Sequence, residues 1–128
     1  KPKSIFVMIG INDLFNLYYQ KEIPSPDYVV ENLLKIMTLL HEKLPNTQIY
    51  VQTLLPTARD FINKNVKMVN NAMKTHQSDG TYHLIDLYLH FAAEDGLMSP
   101  LLTYDGTHLN EKGYALWVSI VKPYITQK

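Results

Sequence analysis

Three residues carry the types and spacing for acid–base chemistry at a polarised carbonyl: Asn12, Asp105 and His108. Asn12 lies in Gly10-Ile11-Asn12-Asp13, directly after an apolar run, and its side chain brings two amide N–H donors to the turn. A developing oxyanion can use one of them. In Asp105-Gly106-Thr107-His108 the carboxylate stands three residues before the imidazole. It can bond one ring nitrogen and leave the other free as a general base. Plainer readings stand beside these. Gly10 to Asp13 also suits an ordinary strand-ending turn stabilised by its own Asn and Asp side chains, and Asp-x-x-His suits a satisfied turn pair. A metal centre has little support, because His41, His76, His83 and His90 lack ligand spacing. No metal and no cofactor are expected.

The elements that must hold these groups can be read from hydrophobic periodicity. Ile5-Phe6-Val7-Met8-Ile9 is an unbroken apolar run ended by Gly10, which predicts a strand buried on both faces. Ser25-Pro26-Asp27 supplies an N-cap, a proline at the first helical position and an acid in the first turn. The stripe Val29, Leu33, Ile36, Leu40 and Leu44 then predicts an amphipathic helix closed before Pro45. Ile49 to Leu55 reads as a second strand stopped by Pro56. A second helix follows from about Phe61 to His76 through Ile62, Val66, Val69 and Met73. His83 to Leu87 is the third strand. After an irregular stretch, Asn110 can cap a last helix through Tyr114, Leu116, Trp117 and Ile120.

The order β-α-β-α-β-loop-α implies a parallel sheet covered by helices, as in flavodoxin-like folds. Ligands bind beyond the carboxyl ends of such strands, where the turn at Gly10 belongs. Tyr18, Tyr19, Phe91 and Met98 could line an acyl or sugar pocket there, or simply pack loops onto the core.

Composition removes several classes of function. The chain has 128 residues with 12 basic and 12 acidic side chains, enough for one domain and with no basic field for nucleic acid or an anionic membrane surface. No apolar run approaches the roughly 20 residues of a membrane-spanning helix. Cysteine is absent, which excludes thiol catalysis, disulfides and zinc–thiolate sites. The chain opens Lys1-Pro2-Lys3-Ser4 without an initiator Met or a signal core and enters an apolar run at once. It is expected to be part of something longer.

The two motifs taken together, Gly10-Ile11-Asn12-Asp13 after a strand and Asp105-Gly106-Thr107-His108-Leu109-Asn110 before a final helix, closely resemble the SGNH/GDSL hydrolases. The run Ile49 to Pro56 and Gly113-Tyr114-x-x-Trp117 are similar to the subgroup around platelet-activating-factor acetylhydrolase and bacterial carbohydrate O-acetylesterases. The resemblance spans essentially the whole chain. It implies a flavodoxin-like, three-layer α/β/α fold, and a serine ester hydrolase acting on small acyl esters or O-acetylated carbohydrates. It makes His108 the base, Asp105 its orienting acid and Asn12 an oxyanion donor, with Gly10 and Asp13 in support. A bacterial periplasmic or secreted location would fit the family, although no signal is present in the chain.

The same resemblance marks what is missing. The family's Gly-Asp-Ser block, with the nucleophile, and its oxyanion glycine block precede Gly10 and have no counterpart here. Ser4, Ser25, Ser78, Ser99 and Ser119 lack both that context and a Gly-x-Ser-x-Gly elbow. Residues 1–128 therefore read as one partial domain holding the last three strands. In the family's sheet order 2-1-3-4-5 the Ile5 to Ile9 strand is central, so here an expected inner strand becomes an edge. A missing N-terminal segment is expected to pair with it and bring the serine, and this chain alone is expected to be inactive and unstable as a monomer. The alternative is a catalytically silent binding domain of the same fold.

Overall fold

The computed structural model describes residues 2–8 and 25–125. Gly10, Asn12, Asp13, Tyr18 and Tyr19 lie outside the described residues. Three strands, β1 (Ser4–Val7), β2 (Gln48–Gln52) and β3 (His83–Ile85), form a parallel sheet in that order. Helix α1 (Pro26–Lys43) connects β1 to β2, and α2 (Asp60–His76) connects β2 to β3. A short α3 (Tyr88–Phe91) and a 3-10 turn at Pro100–Leu102 interrupt the stretch before α4 (Glu111–Ile125). The β-α-β-α-β-loop-α order and the α/β class are those expected from the sequence. No described helix is long and apolar enough to cross a membrane.

Alternation along the strands creates two cores, because successive side chains point to opposite faces. Ile49 and Val51 of β2 and Leu84 of β3 face one way, against Val29, Val30, Leu33 and Met37 of α1 and Ile62, Val66, Val69 and Met73 of α2. Phe6, Tyr50 and Ile85 face the other way, against Leu116, Trp117, Ile120 and Val121 of α4. Phe6 stacks on Tyr50 across the register Phe6↔Tyr50, and Tyr124 meets Tyr50 edge-on. The sheet is therefore covered on both faces, with α1 and α2 on one side and α4 on the other. Phe91 and Met98 belong to the second core and pack the loop inward, while Met98 also borders a pocket of about 290 Å³ beside Asp105. Full burial of such side chains contributes roughly 1.5–3 kcal/mol each.

Three expectations shift in detail. β1 is half-buried at all four positions instead of buried on both faces, because among the described residues it has a single neighbour, β2. The buried stripe of α1 is Val29, Val30, Leu33 and Met37, while Ile36 is exposed. The i, i+4 row through residues 29, 33 and 37 is what meets the sheet. β2 ends at Gln52 instead of Leu55, and β3 ends at Ile85 instead of Leu87. Side chains take over the backbone groups of both strands beyond those points: Thr53 Oγ1 accepts the N–H groups of Leu87 and Tyr88 at 2.8 and 3.1 Å. The N-cap at Ser25 forms as expected, its hydroxyl accepting from Tyr28 N–H at 3.3 Å.

Candidate active site

The segment from Thr103 to Asn110 must reverse direction before α4, and most of its bonds are local. Thr103 and Leu109 form an antiparallel bridge. Gly106 supplies the reversal at φ +89°, a backbone conformation that L side chains seldom adopt. Its N–H donates to Thr103 Oγ1 at 2.9 Å, and Tyr104 N–H donates to His108 O at 3.2 Å. Asn110 then closes the segment. Its Oδ1 accepts Gly113 N–H at 2.9 Å, capping α4, while its Nδ2 donates to Leu101 O. Gly113 is itself required, because a Cβ there would run into the Leu102 carbonyl.

Within this turn both oxygens of Asp105 are engaged. Oδ1 accepts the backbone N–H groups of Thr107 at 2.9 Å and His108 at 2.7 Å. Oδ2 lies 2.7 Å from His108 Nδ1. With the ring proton on Nδ1 this is a charge-assisted N–H···O bond, short as such bonds are. The backbone N–H of His108, its ring and the N–H of Thr107, in that order, hold the Asp105 carboxyl well below the usual carboxylate range. The acid therefore stays ionised and fixes the tautomer that leaves Nε2 as an acceptor. Among the described residues no group bonds Nε2, and the His108 side chain is 78% exposed.

A pocket of about 180 Å³ opens beside the imidazole, lined by Met8, Leu54, Leu55, Pro56, Thr57, Thr107 and His108. It gathers the carboxyl ends of β1 and β2 and the Asp105 turn, the end of a parallel sheet where ligands bind. A larger groove of about 960 Å³ runs along the amino ends of the strands, past Lys3, Gln48 and His83. Size alone favours that groove. The geometry favours the smaller pocket, because His108, the ring oriented by the ionised acid, lines it.

Asp105 and His108 are thus brought together as the sequence anticipated, while Asn12 lies outside the described residues. No serine hydroxyl among the described residues bonds His108. Ser25 caps α1, and the hydroxyls of Ser78 and Ser119 donate to the Thr75 and Leu116 carbonyls. Sequence reasoning missed Asn63 and Asn70, which are buried on the core face of α2 and bonded to the turn after β2. Their spacing was visible: both are polar residues beside the apolar stripe of Ile62, Val66, Val69 and Met73.

The family model for GDSL-like lipase/acylhydrolase proteins matches residues 1–116. Among solved structures, a GDSL-like lipase from Bacteroides thetaiotaomicron superposes with a TM-score of 0.83 at 18% identity, over 97% of this chain and 62% of its own. A member of the lipolytic G-D-S-L family from Veillonella parvula gives 0.79 at 23%, over 100% of this chain and 66% of its own. A catalytic mutant of an acetylxylan esterase from Geobacillus stearothermophilus gives 0.75 at 18%, over 99% and 61%. At these identities the likeness is one of fold, and it includes the parallel α/β arrangement described above. The first three solved structures are spanned over 59%, 62% and 61% of their length. The comparison with curated proteins returns no match.

Proposed function

The chain belongs to the GDSL-like lipase/acylhydrolase family, and from that premise we propose that it carries the acid and base of a serine ester hydrolase. The observation that carries this reading is the 2.7 Å contact between Asp105 Oδ2 and His108 Nδ1 at the carboxyl end of the sheet. A serine hydroxyl, supplied by residues outside this chain, attacks the ester carbonyl while His108 Nε2 takes its proton. The carbonyl electrons move onto oxygen, where an Asn12 amide N–H donates to the oxyanion. When the intermediate collapses, the imidazolium returns the proton to the leaving alcohol and an acyl-enzyme remains. Water, deprotonated by His108, then attacks the acyl carbon and releases the acid and the free serine. Throughout, ionised Asp105 stabilises the imidazolium without taking its proton.

Small acyl esters or O-acetylated carbohydrates are the substrate class. The fold shared with an acetylxylan esterase and the limited pocket beside His108 support this choice. The half-buried edge of β1 and the partial span of the solved structures support a nucleophile segment that pairs along β1.

Hydrolysis of p-nitrophenyl acetate by the full-length protein tests the reading. His108→Ala is expected to lower kcat by a factor on the order of 10⁴, and Asn12→Ala by about 10²–10³. A full-length protein that turns over no acyl ester yet binds acetylated sugars would instead be a silent binding domain. Unchanged turnover in His108→Ala would remove the base from His108.

A further inference from the structure

The core face of α2 buries two amides where apolar side chains would be expected. Asn63 is 1% exposed and Asn70 5%, two helical turns apart on either side of Val66. An amide buried without partners is costly, and both are bonded to the segment that leaves β2. Asn70 Oδ1 accepts Leu54 N–H at 2.8 Å while its Nδ2 donates to Leu54 O at 3.0 Å. Asn63 Oδ1 accepts Thr57 N–H at 2.7 Å while its Nδ2 donates to Thr57 O at 2.8 Å. The Thr57 hydroxyl donates to Asn63 Oδ1 at 2.9 Å as well. Each asparagine satisfies both backbone groups of one residue, as a neighbouring strand would.

The clamp on Thr57 reaches the acid–base pair through a single further residue. Ala58 N–H donates to Gly106 O at 3.0 Å, and Gly106 follows Asp105 directly. The approach is tight, since a Cβ on Gly106 would lie 2.6 Å from the Ala58 Cβ. We infer that Asn63 is a positioning residue: by locking Thr57 it sets Ala58 against Gly106 and so fixes where His108 Nε2 meets the reacting ester. This rests on the acyl-transfer role proposed for His108. The Asp105–His108 bond is local to its own turn and survives when the clamp loosens. What changes is the placement of the pair relative to nucleophile and oxyanion donor, and a shift of about 1 Å there costs on the order of 10²-fold in rate.

The test is hydrolysis of p-nitrophenyl acetate by the full-length protein, at a temperature where circular dichroism shows every variant folded. Asn63→Ala is expected to lower kcat by about 10- to 100-fold with KM within about twofold. Val66→Ala, on the same helix face and also fully buried, removes core volume without touching the turn. It should destabilise the fold and leave kcat within about twofold. Equal kcat values for the two variants would overturn the inference, whichever way they moved. If Asn63→Ala does not fold, Asn63→Asp decides. It keeps the acceptor and loses both donors, so kcat should fall about 10-fold, and an unchanged kcat would overturn the inference. His108→Ala is run in parallel. Lost turnover there with a normal Asn63→Ala removes the positioning role alone, whereas normal turnover there removes the acyl-transfer reading beneath it.

Discussion

Two turns meet at the carboxyl end of the sheet, and they are built by opposite means. The turn from Thr53 to Arg59 is largely buried, and its backbone is held by side chains from α2 that are distant in sequence. The turn from Thr103 to Leu109 holds itself together, and the side chains of both Asp105 and His108 are exposed. In the role proposed for His108 the ring must reach the open side, so its orientation has to come from its own neighbours. Its location can come only from something that does not move. The first turn supplies that, and the Ala58–Gly106 contact joins the two. A buried clamp and an exposed Asp–His pair thereby lie within a few residues of each other.

Substitutions in each turn can break this contrast, and the largest stability effect is expected in the buried one. Asn70→Ala strands the N–H and C=O of Leu54, which is itself buried. The loss should be roughly 2–4 kcal/mol, read as a lower urea midpoint at unchanged slope. A loss below about 0.5 kcal/mol, the scale of ordinary surface changes, would mean the amide clamp is replaceable. At the junction, Gly106→Ala adds a side chain at φ +89° and drives it against Ala58. About 1–3 kcal/mol is expected from the backbone conformation, together with a fall in kcat. Full activity with full stability would show the two turns to be uncoupled.

The smallest effect belongs to the exposed turn and appears only with pH. A carboxyl whose folded pKa is depressed contributes stability above its unfolded value and loses it as pH falls through the lower folded value. Asp105 is such a group, held down first by the His108 backbone N–H. The stability gap between the wild type and Asp105→Asn should therefore narrow as pH falls below about 4, the ordinary range for aspartate. Urea titrations of both proteins across that range measure it. A gap that stays flat to the lowest pH, or widens, would show that Oδ1 and Oδ2 are not bonded as described.

The parts read correctly in advance are those governed by local rules. Ser25-Pro26-Asp27 starts a helix, the β-α-β-α order makes a parallel sheet, and Asp105-x-x-His108 closes on itself because three residues suffice for a carboxylate to reach both the backbone N–H groups and the ring. Errors fall where distant groups intervene. β2 stops short of Leu55 because Asn70, sixteen residues beyond Leu54, takes the place of a strand partner. The stripe of α1 rotates from Ile36 to Met37 because the sheet, and not the helix, decides which row is covered.

Element order, family resemblance and the Asp105–His108 contact could be read from residue type and short spacing alone. Tertiary contacts were needed to show that Asn63 and Asn70 are core residues, that Phe91 and Met98 pack inward, and that Ala58 meets Gly106. The physical reason is that a buried backbone group must be paired, and residues near it in sequence do not reveal which distant side chain will satisfy it.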